Sequence, residues 1–305
     1  MLRPWIALIT GVCLISWSPL FVKWAGLGGV PGPVSAYYRM LIAGVLIVPW
    51  ALRKQRKQSA ESSRRGYVTA ISCGALLAFD LALWNTALLR SPAADVALLV
   101  NNAPLWVGLM GWWFGHEKPT SRYWLGLCFS LAGVWALVGC AVPSSLFAGG
   151  AGLASMSACL YAGYLFLAQR ARVHIDTVAF VTIVTVVGSG CLLAVCLASD
   201  LPLTGFTARA WLAMCGLGLL GHFAGWLATS YALGYIRASK VSVVLLAQAP
   251  ITAILAIPLF GEVISPPQVA GGALVLAGVL FVSMARDSNP GRLQSASESR
   301  AFVES

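Results

Sequence analysis

The chain has 305 residues, 59% of them hydrophobic and only 10% charged, and its mean hydropathy is +0.81. Soluble domains usually carry about 25% charged residues, so this composition excludes a water-soluble fold and indicates a protein that lies in the lipid bilayer. The net charge of +10 does not indicate a nucleic-acid partner, because Lys and Arg lie almost wholly between apolar runs and form no soluble basic surface.

Ten apolar runs follow one another along the chain, each close to the ~20 residues that a transmembrane helix needs. They are too long and continuous for barrel strands, which alternate apolar and polar residues over about ten positions. The sequence therefore predicts an all-α polytopic membrane protein with an uncleaved first span and a disordered tail at 287–305. The predicted spans are 4–25, 33–52, 67–89, 93–114, 122–141, 149–170, 176–199, 209–233, 239–260 and 264–285.

The distribution of positive charge between the spans predicts the orientation. With a cytoplasmic N-terminus, sixteen of the twenty Lys and Arg residues fall on the cytoplasmic side, whereas Lys23, Arg90 and Arg209 fall outside. Cytoplasmic loops of membrane proteins are enriched in Lys and Arg. We therefore expect a protein of the bacterial inner membrane with both termini in the cytoplasm.

The two halves of the chain repeat each other. Three matches carry the repeat: Ala-Pro at 103–104 and 249–250, Gly126 and Gly271, and Leu-Ala-Gly-Val at 131–134 and 276–279. The halves, 1–141 and 149–286, each hold five predicted spans, and an odd number forces the second copy to insert upside down. Inverted repeats are typical of secondary transporters, in which one half rocks against the other around a site between them.

Several stretches carry a resemblance to one transporter family. They are Ser16–Phe21 in the first span, Pro33 and Tyr38-Arg39 at the second, and the Pro…Gly-Glu…Gly…Gly-Val ends of both halves. In this order the chain resembles the drug/metabolite transporter superfamily, and within it the EamA-type proteins made of two such repeats. The resemblance implies export or exchange of a small metabolite such as an amino acid, a purine or a drug. The chain departs from the pattern where His116 interrupts the first Gly-Glu pair, and the seventh span lacks an arginine like Arg39.

Ionisable residues inside the spans are the first candidates for a site, because each costs roughly 2.5–3.5 kcal/mol at a helix centre. Asp80, in the third span, would be a proton carrier, a cation contact or one member of a structural ion pair. Asp80 and Trp84 are spaced i, i+4 on one helix face, and so are His222 and Trp226 in the repeat-related eighth span. The two pairs would line a cavity for an amphipathic substrate, although His222 could equally be a packing histidine.

Polar residues near helix breaks extend this candidate site. Asn101–Asn102 precede Ala-Pro in the fourth span, and Gln248 precedes the same pair in the ninth. Broken helices at corresponding positions of two repeats indicate a binding site; amide hydrogen bonds between helices are the alternative. Arg39 would bind a substrate carboxylate or pair with Asp95 or Asp80. Packing would explain equally well the remaining candidates, in the first and sixth spans: Trp17, Ser18, Tyr161 and Tyr164.

One motif is misleading and several are missing. Gly216–Gly221 matches the dinucleotide pattern GxGxxG, but it lies inside an apolar span and continues to Gly225, so it predicts a helix-packing face. No catalytic triad, HExxH or P-loop is present, and we expect no enzyme activity, cofactor or metal site. We expect a secondary transporter that moves a small-molecule substrate, an amino acid or related organic solute, by alternating access.

Three sources of energy and two rival functions stay open at this stage. Transport would be driven by the substrate gradient, by exchange or by protons, and the oligomeric state is not indicated. The rivals are multidrug or organic-cation efflux and a non-transporting receptor or assembly protein. The inverted repeat favours a transporter over a receptor.

Overall fold

The computed structural model describes residues 2–55, 64–90, 93–114, 119–137, 149–260 and 265–284. These residues form ten helices and contain no strand, which confirms the predicted all-α polytopic fold; the predicted tail at 287–305 lies outside them. The helices are α1 (Leu2–Ile15 and Ser18–Leu27), α2 (Gly32–Gln55), α3 (Arg64–Arg90), α4 (Ala93–Val100 and Ala103–Trp113), α5 (Ser121–Leu137), α6 (Gly149–Ala171), α7 (Thr177–Ala198), α8 (Ala208–Leu233), α9 (Ala238–Val244, Leu245–Ala247 and Gln248–Phe260) and α10 (Pro266–Ser283).

Eight of these helices are long and apolar enough to cross a membrane. The other two are α4, which is broken into two short pieces, and α5, whose described part has 17 residues. Large apolar side chains such as Ile9, Phe129, Leu212 and Leu280 are more than 45% exposed. In water such a surface would be unfavourable, whereas lipid solvates it.

Irregular turns interrupt four helices. Pro19 and Pro104 each lie in the first turn after a break, where the missing N–H costs nothing. At the α1 break the Ser16 carbonyl accepts a hydrogen bond from Thr252 Oγ1 of α9 at 2.7 Å. A 3₁₀ turn at Leu245–Ala247 interrupts α9, and a π-helical stretch at Leu217–Trp226 interrupts α8. Breaks therefore occur in both α4 and α9, at the repeat-related positions that the Ala-Pro pairs indicate.

Four glycines join α5 to α10, and we call their contact the glycine seam: Gly126, Gly133, Gly271 and Gly278. A Cβ on Gly133 would lie 2.6 Å from the Gly271 carbonyl oxygen, and one on Gly278 would lie 2.5 Å from that of Gly126. The sequence repeat equates Gly126 with Gly271 and Gly133 with Gly278. The repeat therefore converts the contact of Gly133 with Gly271 into the contact of Gly278 with Gly126, which is the pattern of a two-fold axis. This geometry is that of an inverted repeat.

The glycines of α8 pack this helix against the first half. Added Cβ atoms at Gly218, Gly221 and Gly225 would lie within 2.8 Å of Ile42, Ser18 and Ile15 respectively. The Gly216–Gly225 stretch is thus a helix-packing face, as its position in an apolar span predicts. This close approach brings the break in α1 and the neighbourhood of Arg39 to α8.

Candidate functional site

A cavity of about 480 Å³ lies between the two halves. Its volume is in the range of about 300–1,000 Å³ that is usual for small-molecule sites. It is lined by the six helices that the sequence predicts, α1, α3, α4, α6, α8 and α9, together with parts of α2, α5 and α10. Eight of the twelve predicted site residues line it: Ser18, Arg39, Asp80, Trp84, Asn101, Tyr161, Trp226 and Gln248.

The cavity extends towards one end of the bundle, where α1 ends and α2 begins; we call this the 27/32 end. The lining residues of α1 run from Ile15 to Lys23, and those of α3 run from Asp80 to Leu88. Gln268, close to the start of α10, also lines it. All of these positions lie in the part of their helices that is nearer to the 27/32 end.

Polar contacts tie the helices together at the opposite end. The buried Arg172 follows α6 and donates to the carbonyls of Ser230 and Ile175 and to Thr177 Oγ1. Gln169 Oε1 accepts a hydrogen bond from the backbone N–H of Ala238 at 2.6 Å. The ends of α6 and α8 and the beginnings of α7 and α9 are therefore connected by polar contacts, although the cavity lining extends to Ser242, near the beginning of α9.

Asp80 lies inside the bundle, with only 5% of its surface exposed. Its Oδ1 accepts a hydrogen bond from Ser157 Oγ of α6 at 2.5 Å, so the carboxylate connects the two halves of the chain. A charged acceptor makes this bond stronger than a neutral one. Arg39 is close enough for electrostatic interaction with Asp80, but the hydrogen bond that Asp80 accepts comes from Ser157.

Arg39 is a buried cation that keeps uncommitted donors. It is 1% exposed and lines the cavity, yet its Nε and Nη2 atoms have no hydrogen-bond partner in the described part of the chain. Its Cζ atom lies 5.1 Å from the centroid of the Trp226 ring, within cation–π distance. Of the two aspartates considered as its partner, Asp95 has a side chain outside the described residues. Two nitrogens of Arg39 are thus buried beside the cavity with their hydrogen-bonding capacity unused in the described chain.

Trp226 is held from behind the cavity by two other predicted residues. Its indole N–H donates to Tyr164 Oη at 2.8 Å, and the His222 ring stacks on it at 5.8 Å with an interplanar angle of 8°. The Nε2 atom of His222 is 3.1 Å from Thr185 Oγ1 of α7, and its Nδ1 has no partner in the described chain. Tyr164 and His222 therefore contact a residue of the cavity wall without being among the lining residues themselves.

Of the other predicted residues, some line the cavity and some do not. Asn101 and Gln248 line the cavity beside the breaks in α4 and α9. The Asn102 Nδ2 atom instead donates to the Leu98 carbonyl of its own helix at 3.3 Å. Trp17 stacks on Phe21 with ring centroids 6.0 Å apart and is not among the lining residues. Within the described ranges, no group of three His, Cys, Asp or Glu could hold a metal ion.

The family model of EamA-like transporters matches the chain twice, over residues 3–139 and 148–284. The chain belongs to the EamA-like transporter family. This EamA-like chain is similar to the "Uncharacterized transporter YwfM" of Bacillus subtilis (strain 168), with 22% identity over 193 residues. That match spans 63% of this chain and 65% of YwfM, which is less than two thirds of the relative's length. The fold is also that of a protein of known crystal structure, with a TM-score of 0.75 and 18% identity over 92% of this chain and 96% of that one.

The partners of the predicted residues were not predicted from the sequence. Ser157 bonds to Asp80, Thr185 to His222, and Thr252 to the broken α1, and each is one of several hydroxyl residues in a largely apolar helix. Small hydroxyls are common in membrane helices, where they often bond to their own backbone. A hydroxyl that contacts a functional residue differs from one that bonds to its own backbone only in how its helix is placed against the neighbouring helix. That placement cannot be predicted from the sequence of one helix.

Proposed function

We propose that this EamA-like protein is a secondary transporter that exports or exchanges an amino acid or related organic solute by alternating access. The observation that carries the proposal is the pair of opposite charges in one cavity, with Arg39 from α2 and Asp80 from α3. Tyr161, Trp84 and Trp226 add aromatic surface to the same cavity. A solute with a carboxylate, an ammonium group and an apolar part matches this set of side chains.

The roles of the two charges follow from their surroundings. Arg39 offers planar guanidinium donors, which suit a carboxylate. Asp80 would receive the ammonium group, since Ser157 occupies only one of its two oxygens. Transferring a charged group into a buried site is costly unless it is paired, so each end of a zwitterion would offset the burial of one protein charge.

Alternating access is supported by the shape of the cavity. It reaches the 27/32 end, and the contacts of Arg172 and Gln169 hold the opposite end together. The charge bias of the loops would place the 27/32 end outside a bacterial inner membrane, with both termini in the cytoplasm. The described conformation would then face outward. Inward opening would require the halves, proposed as 1–141 and 149–286, to rock against each other.

The test is counterflow in proteoliposomes preloaded with amino acids, purines or organic cations, with and without an imposed proton gradient. Asp80→Asn and Arg39→Gln each remove one charge, and Asp200→Asn, at an exposed loop residue, is the matched control. Saturable exchange of amino acids that both cavity variants reduce, and the control leaves unchanged, is the expected result. Binding without flux in folded protein would favour a receptor instead.

Organic-cation efflux is the second candidate, and one observation favours it. Asp80 and the aromatic residues of the cavity could bind a cation without using Arg39. In that case counterflow would be specific for cations, Asp80→Asn would abolish it, and Arg39→Gln would leave or increase it. The Arg39 variant therefore distinguishes the two substrate classes.

A further inference from the structure

The orientation of Arg39 depends on a residue from the other half of the chain. Its guanidinium lies over the face of Trp226, while Nε and Nη2 have no hydrogen-bond partner among the described residues. An arginine side chain loses much rotamer freedom when it is fixed, and here the guanidinium carbon lies 5.1 Å from the centroid of the Trp226 ring. The Trp226 ring therefore helps to determine where these donors point, together with the nearby Asp80.

The Trp226 ring is itself fixed by three residues outside the cavity. Tyr164 accepts the indole N–H at 2.8 Å, His222 stacks on the ring, and Thr185 shares a 3.1 Å hydrogen bond with His222. All three are at most 1% exposed, and none belongs to the cavity lining. They come from α6, α8 and α7, so three helices of the second half determine one ring.

The π-helical stretch of α8 contains Trp226 and His222. It covers Leu217–Trp226, and it includes the glycine face that lets α1 and α2 approach. A Cβ on Gly218 would lie 2.8 Å from Ile42 Cβ and 3.2 Å from the Arg39 carbonyl oxygen, so α8 packs closely against the helix that carries Arg39. π-Helical segments inside α-helices are often found at functional sites, which agrees with a positioning role for this ten-residue segment.

We propose that Tyr164, His222 and Thr185 are positioning residues, which hold Trp226 so that Arg39 presents its free donors to a substrate carboxylate. The substrate carboxylate in this proposal rests on the proposed function, whereas the contacts that hold Trp226 do not. It makes selection for carboxylate-bearing solutes depend on residues that do not touch the solute. Residues that merely fill space would affect all substrates alike.

Substitutions that keep shape and remove one hydrogen bond separate the two roles. Tyr164→Phe removes the acceptor of the indole N–H, and Thr185→Val removes the hydroxyl that contacts His222. Thr182→Val is the matched control, because Thr182 lies on the same helix but bonds only to the carbonyl of Val178. Rescue by Thr185→Ser, which restores the hydroxyl, completes the set.

The first experiment reports on the ring without any substrate. Protein labelled with 5-fluorotryptophan gives a ¹⁹F resonance for Trp226, assigned through its loss in Trp226→Phe. We expect Arg39→Gln, Tyr164→Phe and Thr185→Val to shift or broaden this resonance, and Thr182→Val and Thr185→Ser to leave it unchanged. A Trp226 resonance that is the same in Tyr164→Phe and Thr185→Val as in the wild type would overturn the proposal.

The second experiment measures selectivity by counterflow of two probes, phenylalanine and phenethylamine, which lacks the carboxylate. We expect Tyr164→Phe and Thr185→Val to raise the KM for phenylalanine by about three- to tenfold, the equivalent of one hydrogen bond. The KM for phenethylamine should stay unchanged in the same variants. Equal losses for both probes would reduce the three residues to packing and overturn the proposal.

The two experiments also separate this inference from the proposed function. If the wild type transports neither probe but the ¹⁹F resonance responds as expected, the transporter proposal loses its substrate class while the positioning of Arg39 stands. If transport is present and selective but the resonance does not respond, the positioning proposal fails alone.

Discussion

The glycine seam and the cavity are both formed by the two halves of the chain, yet only the seam is symmetric. In the seam, the repeat exchanges the contact of Gly133 with Gly271 and the contact of Gly126 with Gly278. In the cavity, Arg39 and Asp80 come from the first half, and the ring system of Trp226 and its supports comes from the second. The duplicated unit has kept its packing residues and diversified its charges.

The physical reason lies in what each region contacts. Where two helix backbones approach so closely that a Cβ atom would clash, both helices need glycine at the contact. The two sides of the seam therefore require the same residue. A zwitterion has no two-fold symmetry, so a cavity that binds it requires different groups on its two sides. We expect repeat-related substitutions in the seam to lower the free energy of unfolding by similar amounts. Substitutions on the two sides of the cavity should instead differ in their effect on transport.

The largest effect should follow substitution of the seam. Gly133→Ala and Gly271→Ala each place a Cβ about 2.6 Å from backbone atoms of the opposite helix, which cannot move aside locally. We expect each to lower the free energy of unfolding by about 1–3 kcal/mol, as overpacking does, and by similar amounts. Thermal unfolding in detergent measures both.

Gly152→Ala is the matched control for the seam variants, since an added Cβ there meets no atom within 4 Å. It should leave the melting temperature unchanged or raise it slightly, because alanine favours a helix over glycine. If Gly133→Ala were destabilising and Gly271→Ala neutral, the seam would not be symmetric in energy and the comparison would fail.

The sequence predicts the fold much better than the site. The lengths of the apolar runs determine ten spans, and the repeated glycines and Ala-Pro pairs determine how the halves relate. The site depends on which faces meet. Asp80 and Trp226 are visible as unusual residues in apolar helices, whereas Ser157 and Thr185 are ordinary ones. His222 resembles a wall residue by its spacing from Trp226, but the structure places it behind the wall.

An intermediate effect is expected at the break in α1. Thr252→Val removes the hydroxyl that donates to the Ser16 carbonyl; the bond is partly buried beside the cavity, and we expect its loss to cost about 0.5–1.5 kcal/mol. Because this bond joins α1 to α9 beside the cavity, transport should slow together with the loss of stability. Melting temperature and counterflow rate are the measurements.

Thr69→Val is the control for this variant, because Thr69 donates only to the Arg65 carbonyl of its own helix and is near the surface. We expect its stability and transport to remain at wild-type values. Equal effects of the two threonine variants would mean that the cross-helix bond contributes no more than a local one.

The smallest effect on stability is expected for Gly221→Ala beside the cavity, and Gly278→Ala in the seam is the same substitution for comparison. Gly278→Ala in the seam meets the Gly126 carbonyl, whereas Gly221→Ala beside the cavity meets Ser18 Oγ at 2.6 Å and lies 3.8 Å from Arg39 Nη2. A hydroxyl at the end of a side chain can rotate away, so Gly221→Ala should change the free energy of unfolding by less than about 0.5 kcal/mol.

Its cost should instead be seen in transport, because both neighbours of the new methyl group line the cavity. We expect an increased KM for the carboxylate-bearing probe with little change in melting temperature, and the reverse ranking for Gly278→Ala. Equal loss of stability in the two variants would show that α8 packs as rigidly beside the cavity as α10 does in the seam. The seam and the cavity would then not differ in how tightly their helices pack. The asymmetry of the cavity would come only from its charged residues.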